Sequence, residues 1–437
     1  MALVLTNSQK EIFLDPVQRL FSKVNHKQSN ELIIIVPTNR IVRNLKHSII
    51  KNSNTAIPNL QIYTLELIMR KIYSTFGIHY FELEPDMQSI LVEESIIKLL
   101  KEKSLFFFKS RPDGKLPKGT FDKIFNLIRE FRENGIYPED LEKDIEIIDK
   151  NEIEKTTDII KIYKEYNRRI YNRFVDKGEI YKIINEKFVY PLSNDYFRIA
   201  FPDANELFIY GFNEFTKIES NFLIELTRIK NLDVILSIDY NFNNLYLFGI
   251  LKKNVDSFYN AGLKEYTFLK DQPEILKDFI EKNLFNRANK VQKKDFSEFI
   301  SIVSAKDRIT EVENIFKTIK SIIRKNPEQD LNNICIATYS TEKYTDLFRE
   351  YSEKYGIPVN LTDRYVLNRS PLISSIISFL QIPVNNYRKK EIFRALLSPY
   401  LIFNNKNGEI IDAHSLYEIA NSLKITFGKN NWIKNRS

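Results

Sequence analysis

The sequence holds a single cysteine, Cys335, in 437 residues. This excludes an internal disulfide and any cage of cysteine thiolates for zinc or an iron–sulphur cluster, since such cages need several thiolates from one chain. The four histidines, His26, His47, His79 and His414, lie far apart and follow no ligand spacing. Glycine is also scarce, with eleven in all and the first at Gly77. A phosphate-binding loop needs backbone without Cβ to turn its N–H groups inward, so no glycine-rich loop can follow the amino-terminal strand. The later glycines form no G-x-G-x-x-G. Metal-dependent nuclease chemistry of the Asp…Glu-x-Lys kind has no Glu-x-Lys to use, and the one Asp-x-Lys, Asp113-Gly114-Lys115, reads as an exposed turn within 111–119. Neither a G-x-S-x-G elbow nor an H-E-x-x-H zinc helix occurs. No catalytic constellation and no metal site is expected.

Long apolar runs are missing too. The longest, such as Leu32–Val36, fall far below the roughly 20 residues of a membrane span, and the opening Met1–Thr6 is too short and too weakly basic for a signal peptide. A soluble, cytoplasmic protein with no membrane partner is expected.

What is present is a long chain, beyond one ordinary core, so two or more domains are expected. Hydrophobic residues make up 43% and charged residues 28%, as in globular proteins. The net charge is +8, with a pI near 9.0. A basic surplus suits a polyanion such as DNA. A general enrichment in Lys, Asn, Ile, Tyr and Phe accounts for the same surplus without a ligand.

Strand and helix signals alternate at the start. Ala2–Leu5 is a short apolar run. Leu32–Val36, β-branched and closed by Pro37, reads as a buried parallel strand. Ile41, Val42, Leu45 and Ile49 have helical spacing, Leu60–Tyr63 reads as a strand, and a helix is predicted over 64–76. From 84 to 187 the signal is helical. Phe121, Ile124, Phe125, Ile128 and Phe131 form one stripe, with Thr120 as N-cap and Gly135 as stop. Ile159, Ile162, Tyr163, Tyr166, Ile170 and Phe174 form another, faced by Lys161, Lys164, Arg168 and Arg169, a basic face open to either phosphate or solvent. Strands return at Glu206–Tyr210 and Leu232–Ile238 around a helix at Glu219–Ile229. After a basic amphipathic stretch, Lys270–Lys294, a second α/β series is predicted: strands at Phe299–Ser304, Ile334–Tyr339 and Val359–Thr362, and helices at Ile309–Arg324, Lys343–Tyr355 and Leu372–Leu380.

The order of these motifs resembles a superfamily 1 helicase, and more narrowly the AddB/RexB group of bacterial helicase–nuclease subunits. Leu32–Lys46 resembles the strand, Thr-Asn turn and helix with which helicases hold a single-strand backbone. Leu60–Tyr73, with Thr64 opening a helix, resembles the next Thr-Phe-His motif, with Leu65 and Glu66 where Phe and His are usual. Thr38, Asn39, Arg40, Arg43 and Thr64 are the candidate DNA-contacting residues. Leu207–Leu226 resembles the ATPase strand and helix, with Tyr210 and Gly211 where an active helicase has Asp-Glu to hold magnesium and activate water. Neither can do so. The Gly211, Phe212, Phe215, Thr216 pattern is the form this group shows, and Glu214 and Glu219 fall outside the hydrolytic register. In the second domain, Tyr339 stands where an Arg senses phosphate. Ser370-Pro371-Leu372 and Leu397–Tyr400 fit the same domain.

The resemblance implies two RecA-like parallel-sheet domains of a degenerate P-loop type. The first is expected over 1–80 and 195–290, interrupted by a helical insertion over 81–194. The second is expected over 295–400, and 401–437 would begin a further helical insertion, stopping around Ile425–Trp432 ahead of the group's nuclease domain. The implied function is a non-catalytic DNA-binding scaffold within a complex that processes double-strand breaks for recombination. DNA and an active AddA-like subunit would be its partners. ATP and magnesium would sit on that subunit, and the iron–sulphur cluster in the nuclease domain. A structural protein without a DNA role and an ATP-dependent helicase with an unrecognised nucleotide site are the alternatives.

Overall fold

The computed structural model describes residues 2–8, 18, 20–21, 29–52, 60–109, 116–143, 145, 149–150, 152–266, 275–286, 293–361 and 367–434. The chain divides into two compact units, Met1–Phe296 and Ser297–Ser437.

The first unit is built on strands β1 (Ala2–Thr6), β2 (Leu32–Val36), β3 (Ile62–Thr64), β6 (Glu206–Phe212), β7 (Asp233–Asp239) and β8 (Lys264–Glu265), in the spatial order β3-β2-β6-β7-β1-β8. Two short strands between them, β4 (Phe81–Glu82) and β5 (Phe174–Val175), pair separately. All five residues of β2 are buried, as the β-branched run requires of a strand covered on both faces. Its side chains alternate. Leu32, Ile34 and Val36 join Phe208 and Ile235 beneath helix α1 (Asn39–Asn52), while Ile33 and Ile35 join Leu207, Ile209 and Leu236 on the other face. Five helices cover that second face: α2 (Leu65–Ser74), α6 (Lys177–Lys187), α7 (Leu192–Ala200), α8 (Lys217–Thr227) and α9 (Lys252–Asn260). They supply Ile68, Ile184, Phe197, Phe222 and Phe258 to the core. Each fully buried side chain of this size contributes roughly 1.5–3 kcal/mol.

The sheet is mixed, not wholly parallel. β2, β3, β6 and β7 run parallel, but β1 pairs antiparallel with β7, from Ala2↔Asp239 to Thr6↔Ile235. The side chain of Asn7 fixes that direction: its amide donates to the Leu232 carbonyl at 3.2 Å and accepts from the Val234 N–H at 2.7 Å. The chain therefore leaves β1 at the amino edge of the parallel strands, opposite the edge where a RecA-like phosphate loop stands.

Between β4 and β5 lie α3 (Pro85–Lys101), α4 (Lys118–Asn134) and α5 (Ile153–Ile170), packed about Val92, Ile96, Ile124, Ile128, Tyr163 and Tyr166. Gly135 ends α4 at φ +72, as expected. Thr120 does not cap it; the helix opens three residues earlier, after Pro117, because Pro117 O already accepts from the Thr120 and Phe121 N–H groups. Residues 111–115 of the predicted turn, with Asp113-Gly114-Lys115, lie outside the described residues.

This helical layer is joined to the α/β layer through Arg132. The side chain is 3% exposed. It donates through Nε and Nη2 to Asp176 at 2.8 and 3.0 Å, through Nη2 to Glu179 at 2.8 Å, and through Nη1 to Asn167. Asp176 also caps α6, accepting from the Glu179 N–H at 2.8 Å, and accepts the Tyr166 hydroxyl at 2.8 Å. Burial pulls the Arg132 pKa down, but the Asp176 charge and hydrogen bonds outweigh it and hold the group above its ordinary value. Gly178 makes the approach possible: a Cβ there would stand 2.4 Å from Arg132 Cβ.

In the second unit, α11 (Arg308–Lys325) and α12 (Thr345–Tyr355) pack through Val312, Phe316, Ile319, Phe348 and Tyr351. A helix α10 (Ile275–Asn283) precedes this unit in sequence, and the other described parts of the 270–294 stretch are not helical. Helices α13 (Pro371–Val384), α14 (Lys389–Leu396) and α15 (Ala413–Ser422) follow. The strands predicted at 299–304, 334–339 and 359–362 are not formed among the described residues (Thr362 lies outside them), where only an isolated bridge, Asn404↔Ile410, pairs. Ile334 and Ile336 pack partly against the α11–α12 core, whereas Ile302 is 95% exposed. An alternating apolar pattern specifies half-burial, and helix packing satisfies it without backbone pairing.

Replacing Arg132 with Met leaves Asp176 buried without its cation, so R132M is expected to destabilise the first unit by about 3–5 kcal/mol. A urea titration followed by circular dichroism checks this.

Candidate nucleic-acid interface

The parallel strands end together. The register pairs Val36 with Thr64 and Ile35 with Ile209, and Tyr210 pairs with Ser237, so the segments after β2, β3 and β6 open at one carboxyl edge. The chain passes from β2 outward to β3 and returns across β2 to β6, with α1 on one face and α2 and α8 on the other. The point where strand order reverses, between β2 and β6, is where open α/β sheets present a ligand crevice.

Five of the residues singled out in sequence stand at this edge. Thr38 opens α1: its carbonyl accepts from Val42 N–H at 3.2 Å and its hydroxyl from Ile41 N–H at 3.4 Å. Asn39, Arg40 and Arg43 are exposed on the first turns. Those turns carry no acidic residue, and neither arginine forms an ion pair among the described residues. Cations at a helix amino terminus oppose the helix dipole, so this placement costs stability and favours an incoming anion. Thr64 caps α2, accepting from Leu67 N–H at 3.3 Å.

Glu66, in the first turn of α2, is committed elsewhere: it pairs with Arg70 at 3.0 Å and with Lys177 at 3.5 Å, and Lys177 pairs with Glu133 at 2.9 Å. The second motif's usual contact position thus ties α2 to the helical layer.

Tyr210 is half-buried, its ring stacked on Phe208 with centroids 6.0 Å apart. Gly211 has φ +79 and sits in a bulge where pairing shifts between Tyr210 and Phe212, a backbone position that a side chain would strain. Glu214 is exposed. Glu219 closes a capping box on α8, with Thr216 N–H donating to Glu219 Oε2 at 2.9 Å and Glu219 N–H to Thr216 Oγ1 at 3.2 Å. The Thr-x-x-Glu spacing is the sequence signal for that box, and it starts the helix at Lys217, two residues ahead of the predicted start at Glu219. Tyr339, in the second unit, is fully exposed.

These residues do not fit a magnesium–nucleotide. The strand end offers a phenol and a glycine, and the segment after β1 departs from the opposite edge. A lone cysteine does not fit an iron–sulphur cluster. Among the described residues no group of three His, Cys, Asp or Glu side chains is placed to hold a metal ion.

The basic face expected on α5 is mostly spent internally. Lys164 pairs with Glu142 at 2.6 Å, Arg168 with Glu165 at 2.7 Å, and Arg169 with Glu94 at 2.7 Å. Lys161 donates to the Ser104 carbonyl at 2.7 Å. Arg168 and Lys98 hold the buried Glu165 carboxyl down to about 2, against an ordinary value of 4.5.

The fold defines an α/β protein with a mostly parallel six-stranded sheet, and similarity to a UvrD-like helicase domain supports a helicase-like fold. Residues 14–300 match the family described as ADDB, N-terminal, and residues 267–431 match the UvrD-like helicase C-terminal domain. The chain belongs to the ADDB N-terminal family. It is similar to the B subunit of the ATP-dependent helicase/deoxyribonuclease of Clostridium tetani, 22% identical over 447 residues, covering 96% of this chain and 36% of that protein. The corresponding subunit of Alkaliphilus metalliredigens is 22% identical, over 87% of this chain and 33% of that protein, and that of Caldanaerobacter subterraneus 21%, over 95% and 36%. The chain spans about a third of the length of these curated relatives. No helix among the described residues is long and apolar enough to cross a membrane.

A carboxyl whose folded-state pKa is depressed stabilises the fold fully above its unfolded value, and that stability is lost as pH falls through the folded one. The contribution of Glu165 is therefore complete above 4.5 and lost toward about 2. The difference in unfolding midpoint between wild type and E165Q is expected to be larger at about pH 7 than at about pH 3, as measured by urea titration at both.

Proposed function

We propose that the chain is a non-catalytic, helicase-like DNA-binding part of a helicase–exonuclease complex that processes double-strand breaks for homologous recombination. One observation carries this reading. At the carboxyl edge Tyr210 and Gly211 stand where the helicase resemblance would put the ATPase carboxylates, while the neighbouring α1 amino terminus keeps two exposed arginines without ion pairs among the described residues. The nucleotide chemistry is lost and the anion-binding end is kept. A helix amino terminus flanked by Arg40 and Arg43 offers N–H groups and two guanidiniums to successive phosphates of a strand, positioning it without reading bases. Thr38, Asn39 and Thr64 line the same edge. Tyr339 would leave the second unit without a phosphate-sensing cation.

In this reading strand movement is driven by an AddA-like partner that holds ATP and magnesium. The relatives are named as one subunit of an ATP-dependent helicase/deoxyribonuclease, which supports both a partner and a DNA substrate. The work is expected in the cytoplasm, where the DNA is.

The purified chain is expected to bind a single-stranded oligonucleotide with an affinity that falls as salt rises, by about 0.7 in log–log slope per neutralised phosphate. R40A/R43A should reduce that slope by about 1.4 and weaken binding to all sequences alike. ATP turnover by the chain should not exceed the blank with or without DNA. Fluorescence anisotropy and a phosphate-release assay measure both. Unchanged binding by R40A/R43A, or turnover by the chain itself, overturns the proposal.

A further inference from the structure

After α3 the segment 102–109 exposes two aromatic rings and is held by a buried carboxylate. Phe106 is 64% and Phe107 46% exposed, while Phe108 is buried in the helical layer with its ring edge-on to Phe107 at 5.1 Å. The loop is fixed from below by Asp158 of α5. This carboxylate is fully buried and accepts three successive backbone N–H groups: Phe106 at 2.9 Å, Phe107 at 2.8 Å and Phe108 at 3.1 Å. Charge-assisted bonds of this kind are about twice as strong as neutral ones. Lys103 enters the loop in the left-handed region, φ +53, a conformation that costs a non-glycine residue free energy. A buried carboxylate and a strained turn are thus both spent on a loop whose first two rings face water.

Charge surrounds these rings. Lys161 places its ammonium 4.4 Å from the Phe106 centroid while donating to the Ser104 carbonyl, which fixes the ring from one side while 64% of the residue stays exposed. Lys101, Lys103 and Lys109 flank the rings in sequence, all exposed, against one acidic residue, Glu102. Open aromatic faces interleaved with cations suit the stacked bases and phosphates of a single strand; an apolar protein surface would instead leave these ammonium groups without partners.

We propose that Phe106 and Phe107 form a base-stacking platform for single-stranded DNA, with Lys101, Lys103 and Lys109 meeting its phosphates. Asp158 and Lys161 act as positioning residues. The platform rests on the DNA-binding reading above but lies on the helical layer, apart from the residues of the carboxyl edge.

The test uses the full chain and a single-stranded oligonucleotide carrying 2-aminopurine, whose fluorescence is quenched on stacking. Wild type is expected to bind and change the quench. F106A/F107A should lose that change and weaken binding by at least about five- to 150-fold, the factor for one to three kcal/mol from the loss of a single stacked base. F106Y/F107Y should keep both signals at the wild-type level, since stacking needs the rings and not the methylenes alone. D158N should reduce the stacking signal more than R40A/R43A does. If wild type binds no DNA, the functional reading fails and takes this inference with it. If wild type binds and R40A/R43A weakens it while F106A/F107A binds and quenches unchanged, the platform is overturned and the functional reading stands. Concentration-dependent self-association abolished by F106A/F107A, with DNA binding intact, also overturns it.

Discussion

A guanidinium held almost wholly out of water must be met by charge, and Arg132 is met from three directions. Asp176 closes it with two hydrogen bonds, Glu179 adds a third, and Asn167 a fourth. Because Asp176 is also the cap of α6, the same carboxylate starts the helix that packs on the α/β core and anchors the helical layer to it. The next residue along α4, Glu133, continues the line through Lys177 to Glu66. Glu66 lies in the first turn of α2, two residues after Thr64. The attachment of the helical layer and the carboxyl edge are therefore tied by two groups of ion pairs that neighbour each other in sequence at 132–133 and 176–177. Removing such a pair by halves is costly, because the desolvated partner stays behind.

At that edge the two helix starts are used differently. The first turn of α2 carries Glu66, neutralised by Arg70 and Lys177, and so belongs to the internal scaffold. The first turns of α1 carry Arg40 and Arg43 and no acidic residue, and neither arginine forms an ion pair among the described residues. On the other side of β2 from β3, β6 bears Gly211 in a bulge at positive φ, where any side chain would strain the backbone. A local backbone irregularity thus stands beside an anion-attracting helix end. On the helical layer, most of the α5 cations are neutralised by Glu94, Glu142 and Glu165, so a count of lysines and arginines along that helix overstates its free charge.

Much of the first unit is legible in the sequence because its signals are local. Leu32–Val36, closed by Pro37, is a buried strand on apolar content alone, and β6 begins at Glu206 as its composition predicts. Gly135 ends α4 because only a residue at ease at positive φ fits there. The elements that depart from their local patterns share a cause. Ala2–Thr6 has strand composition, but its direction is set by Asn7 bridging to Leu232 and Val234 more than 200 residues away. Ile334 and Ile336 alternate as in a strand, yet their burial comes from helices. Thr120 has a cap's chemistry, but Pro117 begins the helix first.

Some features are fixed by which atoms the residues possess: no glycine before Gly77, one cysteine, and Tyr210-Gly211 toward the end of β6. The order of strands and helices in the first unit is likewise set in the primary structure, because period and capping act over a few residues. Which charges are free is settled only by the folded chain. Arg40 and Arg169 are alike in sequence, but one stands at an exposed helix start and the other lies between Glu94 and Glu165. Folding also brings Asp158 beneath the backbone of Phe106–Phe108, about 50 residues earlier, and so keeps two rings in water. Pairing across such separations depends on where the fold brings the partners, and no local pattern encodes it.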